Sequence, residues 1–116
     1  LIFGLGYSAQ RIAAALVARG WQVNATGSAG TVAFDDPAAV QAALGWASHV
    51  LSSVPPGDEG DPVLTRYGNA LGGRWLGYLS STGVYGDTGG AWVDESSPAG
   101  GGRRTARAEA DASWLA

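Results

Sequence analysis

Apolar and polar positions alternate in blocks along this chain, and the spacing within each block names an element. "LIF", residues 1–3, is a short apolar run that predicts a buried strand, and it leads directly into "GLGYSA". From Ser8 onward the apolar positions fall three and four apart, at Ala9, Ile12, Ala13, Leu16 and Gly20. That spacing predicts one apolar helix face, with Ser8 as N-cap and Gly20 as the stop. "WQVNAT", residues 21–26, predicts a second strand, which completes a strand–helix–strand unit. "TVAF", residues 31–34, predicts a third strand only four residues later. Parallel strands need a crossover of about a dozen residues. The third strand therefore either turns back antiparallel or lacks a crossover helix in this sequence, and the second is expected.

The alternation continues downstream. "DDPAAVQAALGWA" predicts a helix capped by Asp35 or Asp36 with Pro37 in its first turn, and "SHVLSSVPP" predicts a strand ending in serines and prolines. "DPVLTRYGNALG" predicts a helix started by Asp61 and Pro62, "RWLGYLSS" a fifth strand, and residues 103–116 a final helix. Strands alternating with helices imply an α/β fold, here a Rossmann-type, doubly wound and mainly parallel sheet. Residues 1–116 are expected to form one NAD(P)-binding domain. The chain has no methionine, opens inside an apolar run and stops within an amphipathic pattern at "SWLA". These features are expected of a piece of a longer chain.

Composition narrows the function classes. With 116 residues and 46% apolar content, one domain with a real core is possible. The formal net charge is −3, and "GGRRTARAE" is the one basic cluster, so no nucleic-acid partner is expected. There is no cysteine, and a lone histidine, His49, cannot build a metal site, so no metal is expected. No apolar run approaches the roughly 20 residues of a membrane span. The expectation is a soluble, cytoplasmic protein with no membrane partner, and a homodimer is compatible with it. Trp46, Trp75 and Trp114 lie in apolar runs and are predicted core residues, and His49 is read as structural. Trp92, in a glycine-rich loop, either shields a ligand or closes the loop.

The chemistry concentrates in three motifs. "GLGYSA", residues 4–9, fits G-x-G-x-x-A between a strand and a helix. Gly4 permits the tight turn, Gly6 lets backbone approach a pyrophosphate, and Ala9 lets the helix pack closely on the sheet. Tyr7 and Ser8 open that helix, whose amides and dipole favour phosphate. The plainer reading is a glycine turn that only packs a helix. An NAD site ordinarily carries an acid at the end of the second strand. Here that end is "NATGS", where Asn24, Thr26 and Ser28 offer hydrogen bonds and no carboxylate, which favours NADP over NAD. Asp35 completes the candidates at this end of the pocket. The second motif, "SSVPP", places Ser52 and Ser53 at the carboxyl end of a strand, where ligands of open α/β sheets sit. A serine–proline turn leaving a strand is the equal alternative.

The third motif is "LSSTGVYG", residues 79–86. With Gly4, Gly6 and Ala9, and with Ser81, Val84, Tyr85, Gly86, Asp94, Glu95 and Pro98, the chain resembles the extended short-chain dehydrogenase/reductase family of nucleotide-sugar epimerases and dehydratases. The resemblance implies a Rossmann fold, an NAD or NADP cofactor and a small hydroxylated or sugar-like substrate. It places the catalytic serine on Ser81, three residues before Val84, where its role would be to bond the reacting oxygen. The family's acid/base tyrosine followed four residues later by lysine has no counterpart, since the chain contains no lysine. The nearest equivalent is Arg103-x-x-x-Arg107. Arg107 matches the lysine's charge and ribose contact, whereas the Arg103 guanidinium stays protonated and cannot act as the acid. This pattern resembles the family's atypical branch. Tyr85 is not the family's catalytic tyrosine, and Asp94 or Glu95 would serve as proton donor only if burial raised its pKa. The leading expectation is an NAD(P)-dependent oxidoreductase or epimerase/dehydratase. The alternative is a non-catalytic dinucleotide-binding module.

Overall fold

A computed structural model of the protein describes residues 1–99 and 105–116. The element order is β1 (Ile2–Phe3), α1 (Tyr7–Ala18), α2 (Pro37–Trp46), β2 (His49–Ser52), α3 (Pro62–Tyr67), β3 (Trp75–Tyr78) and α4 (Thr105–Leu115). Short 3-10 turns at Gly68–Ala70 and Thr82–Tyr85 extend α3 and follow β3. The fold is α/β, with a small parallel sheet in the order β1-β2-β3. On the far side of β1, Ile2 bridges Ala25 and Thr26 bridges Val32, both in parallel.

Capping follows the sequence in part. The Asp36 carboxylate accepts from Ala39 N at 3.2 Å and Pro37 opens α2, so Asp36 rather than Asp35 is the N-cap. Asp61 caps α3, accepting from Val63 N at 2.9 Å and Leu64 N at 3.0 Å. In α1 the N-cap is Gly6, not Ser8, because the chain enters the helix two residues earlier than the apolar spacing suggests. Arg19 caps its other end, with Gly20 directly after.

Two predicted strands shrink to bridges. "WQVNAT" pairs only at Ala25 and Thr26, and "TVAF" only at Val32, whose amide reaches Ala25 O at 3.0 Å. The pairing is parallel, so the hairpin alternative does not form. A crossover helix is needed to align two full parallel strands, but a single bridge needs only the turn 27–31. Gly30 makes that turn possible, since a Cβ there would lie 2.2 Å from Ala25 O.

Side-chain alternation splits the core by face. Phe3 and Val50 point to the side of α2, α3 and α4, where they join Val40, Leu44, Val63, Tyr67, Leu71 and Trp114. Ile2 points the other way, onto Ala9 of α1 and Ala25. Trp114 is buried at 9% exposure, as predicted, but Trp46 and Trp75 are 89% and 57% exposed and are not core residues. Trp46 ends α2, and Trp75 starts β3 on the Ile2 face of the sheet, which α1 covers only in part.

Candidate functional site at the carboxyl edge of the sheet

The carboxyl ends of β1, β2 and β3 lie side by side, and a chain of hydrogen bonds ties them together. Ser53 N donates to Phe3 O at 2.9 Å, and Leu79 N donates to Ser52 O at 2.9 Å. Each predicted motif therefore begins where its strand ends on one edge, with "GLGYSA" after β1, "SSVPP" on β2 and "LSSTGVYG" after β3.

The glycine turn is held from both sides. Gly4 has φ +83°, a left-handed conformation that favours glycine, and its amide donates to Thr26 Oγ1 at 3.0 Å. The Ser53 hydroxyl donates to the Gly4 carbonyl. Thr26 and Ser53 thus shape the loop, and their hydroxyls serve backbone groups. Ser52 is fully buried and accepts from Val54 N at 3.3 Å.

Gly6 is different. It has an ordinary extended conformation, φ −79° and ψ −169°, and a Cβ built there would meet nothing within 4 Å. No side chain caps α1 at this end. An exposed first turn of a 12-residue helix, with donor amides and open space in front, fits an anionic phosphate group. Ala9, only 1% exposed, supplies the close helix–sheet contact. Tyr7 and Ser8 are exposed at the same end, and Arg11 Nη2 donates to Tyr7 Oη at 3.1 Å. The sequence reading missed Arg11. The signal was its position four residues after Tyr7, one helical turn on.

Ser28 is exposed in the turn 27–31, close in sequence to the buried Thr26. Asp35 forms an ion pair with Arg66 on α3. Among the described hydrogen bonds and ion pairs, it makes no contact with the glycine turn.

After β3 the chain turns sharply. Ser81 caps the 3-10 turn Thr82–Tyr85, its hydroxyl oxygen accepting from Gly83 N at 3.1 Å. Arg107 reaches this segment from α4. Its Nη1 donates to Leu79 O at 3.3 Å and to Tyr78 Oη at 2.8 Å. The structure thus brings Arg107 to the carboxyl end of β3, within two residues of Ser81. Arg103 lies outside the described residues.

Tyr78 is a residue that sequence reasoning missed, because it reads as part of an apolar strand. Its ring stacks on Trp114 with centroids 5.6 Å apart, and Trp114 Nε1 is anchored by Asp61 Oδ2 at 2.9 Å. Burial pushes the Tyr78 phenol pKa up, against the opposing pull of the Arg107 guanidinium, with Asp61 and Asp111 adding to the rise. Tyr78 therefore stays protonated through neutral pH. Its oxygen accepts from Arg107, which leaves its own hydrogen available to an acceptor.

The carboxylates considered as proton donors do not meet their condition. Asp94 and Glu95 are exposed, and the Ser96 hydroxyl and amide, with Ser97, hold the Asp94 carboxyl below its usual range. Trp92 is fully exposed, so it shields nothing among the described residues.

No family model matches the chain, and no curated protein matches it. It is similar to a solved structure described as that of a functionally unknown conserved protein from Silicibacter pomeroyi. The two share 34% identity over 99% of this chain and 47% of that one, with a TM-score of 0.77. The chain thus spans about half the length of that solved relative.

Proposed function

We propose that the carboxyl edge of the sheet binds NAD(P), with the pyrophosphate at the first turn of α1. In this reading the domain is a doubly wound Rossmann fold, related to the extended or atypical short-chain dehydrogenases/reductases. The observation that carries it is the open, uncapped start of α1 behind the glycine turn. Strand order supports it. Counting the two bridges, the parallel order is Val32, Ala25–Thr26, β1, β2, β3, so the direction of winding reverses between β1 and β2. Ligands of open α/β sheets bind at such a reversal, beyond the carboxyl ends of the strands.

Bound nicotinamide would give or take a hydride. Ser81 would orient the reacting oxygen of a small hydroxylated or sugar-like substrate, and Arg107 would hold a ribose hydroxyl or a substrate anion. The absence of a carboxylate over residues 24–28, together with the pairing of Asp35 with Arg66, favours NADP. The test is a titration with NADPH and NADH followed by tryptophan fluorescence. Saturable binding, tighter for NADPH, is expected.

One observation favours a second reading, a dinucleotide-binding module without turnover. The Ser81 hydroxyl is already engaged with Gly83 N, and no tyrosine–lysine pair stands beside it. Cofactor oxidation against a panel of carbonyl compounds, with Ser81→Ala as control, separates the two. Turnover lost in the variant supports the enzyme, and binding without turnover supports the module.

A further inference from the structure

Carbonyl chemistry at this edge needs a proton donor, and the candidate groups differ in whether they can supply one. Asp94 and Glu95 are exposed, and Ser96 and Ser97 favour the ionised form of Asp94. Guanidinium groups do not release a proton in proteins. The Tyr67 hydroxyl donates to Phe34 O, so its hydrogen is engaged, and Tyr7 stands at the first turn of α1 beside Arg11. Tyr78 is the last residue of β3 and is half-buried. Its hydroxyl oxygen accepts from Arg107 Nη1 at 2.8 Å, and among the described hydrogen bonds its own hydrogen has no acceptor.

Neighbouring side chains fix that phenol in place. Asp61 Oδ2, buried at the start of α3, accepts from Trp114 Nε1 at 2.9 Å and holds the indole. The Tyr78 ring lies on that indole, with centroids 5.6 Å apart and planes 7° from parallel, which sets the direction of its hydroxyl. Arg107 is held in turn by Leu79 O at 3.3 Å. A guanidinium carries five N–H donors, so the same group can still reach a ribose hydroxyl. α4 packs against both β3 and the 3-10 turn that Ser81 opens, which brings Tyr78, Arg107 and Ser81 to one corner of the edge.

We propose that Tyr78 is the proton donor of this site, set against Arg107 in place of the absent tyrosine–lysine pair. The inference rests on the proposed cofactor site and gives its chemistry a direction. A carbonyl carbon accepts a hydride from the reduced nicotinamide while its oxygen, held by Ser81, takes the phenol proton. A C–H and an O–H bond form, the C=O π bond breaks, and an oxidised nicotinamide and a Tyr78 phenolate remain. Arg107 stabilises that phenolate until solvent returns the proton. Burial raises the phenol pKa, with Asp61 at the start of α3 and Asp111 on α4 adding to the rise and Arg107 on α4 opposing it. The phenol is therefore an acid at neutral pH, and the site favours reduction of a carbonyl over oxidation of an alcohol.

Tyrosine labelled with carbon-13 at Cζ reads the phenol by NMR, and Tyr78→Phe, which keeps a ring on Trp114, assigns its signal. The parent is titrated against pH with and without NADP+, whose cationic nicotinamide would stand beside the phenol. A cation within about 4–6 Å lowers an acid's pKa by about 1–3, so a Tyr78 pKa lower by at least about 1 is expected on binding, with Tyr67 unmoved. In stopped-flow reduction of 4-nitrobenzaldehyde by NADPH, Tyr78→Phe should slow hydride transfer at least about 100-fold at unchanged NADPH affinity and circular dichroism. A phenol that only ties α4 to β3 would show neither effect. Saturable NADP+ binding with an unmoved Tyr78 titration overturns the proposal and leaves the cofactor site standing, as does a Tyr78→Phe variant that reduces the aldehyde at the parent rate. A parent that binds NADPH yet reduces no carbonyl compound of the panel also overturns it, in favour of the module. Binding of neither nucleotide overturns the proposal and the cofactor site together.

Discussion

Gly6→Asp separates the fold from the proposed function, because the two respond with opposite signs. Gly6 is the N-cap of α1, with the extended backbone that N-cap residues adopt, and the space beyond its Cα is empty. An aspartate fits without strain. Its carboxylate can accept from first-turn amides and interacts favourably with the helix dipole. A good cap in place of glycine adds a few tenths of a kcal/mol, the dipole about 0.3–1 kcal/mol, and the lost flexibility of the unfolded chain about 0.4–1 kcal/mol. The variant should therefore be about 1 kcal/mol more stable in urea unfolding, at unchanged m-value. The same carboxylate would occupy the amides proposed for the pyrophosphate and repel it, so NADPH affinity should fall at least about tenfold. Gly4→Ala is the counterpart. At φ +83°, with Ser53 Oγ 2.9 Å and Val54 Cγ2 3.0 Å from the new Cβ, it should cost about 1–3 kcal/mol. The reasoning fails if Gly6→Asp is more stable and yet binds NADPH as tightly as the parent.

Other residues give further tests. Arg74 donates to the carbonyls of Leu44, Ala47, Ala70 and Gly72, closing the end of α2 and the turn before β3. Its replacement by alanine should cost about 2–3 kcal/mol in urea unfolding, and lysine should recover only part, since one ammonium cannot span those acceptors. Ser81→Ala removes a cap on the turn after β3 and should cost about 1 kcal/mol while leaving cofactor affinity unchanged. Equal affinity with lost turnover is the enzyme's signature. The Tyr78 phenol, raised by burial, holds its proton in the folded state at pH values where the unfolded chain has lost it. Its contribution to stability is complete below about pH 10 and disappears as pH rises through the folded pKa. Ultraviolet titration of tyrosinate should show one late-ionising group that Tyr78→Phe removes. Arg107→Leu should move that group still higher, because the guanidinium opposes the rise.

The larger elements were legible because their signals are local. Asp–Pro starts at residues 36–37 and 61–62 placed the beginnings of α2 and α3, and the three-and-four spacing after Ser8 placed the beginning of α1 within two residues. Strand extent was not legible. The patterns "WQVNAT" and "TVAF" satisfy strand preference, but pairing depends on what stands alongside, and only Ala25, Thr26 and Val32 find partners. Trp46 and Trp75 show the same limit, since an apolar run says that a residue can be buried and not that a neighbour exists to bury it. The local geometry of the candidate site was readable where chain order and space coincide, in the turn at Gly4 and the close helix–sheet contact at Ala9. The contact of Arg107 with Tyr78, 29 residues apart, becomes visible only once α4 packs beside β3.

The central claim is that the carboxyl edge of this sheet is a dinucleotide site, and its most direct test is titration of the purified protein with NADPH and NADH. Saturable quenching of tryptophan fluorescence, stronger for NADPH and lost in Gly6→Asp, is the predicted result. No binding of either up to about millimolar, an affinity of only around −4 kcal/mol, would contradict it. The turn at residues 4–9 would then do no more than pack a helix against a strand.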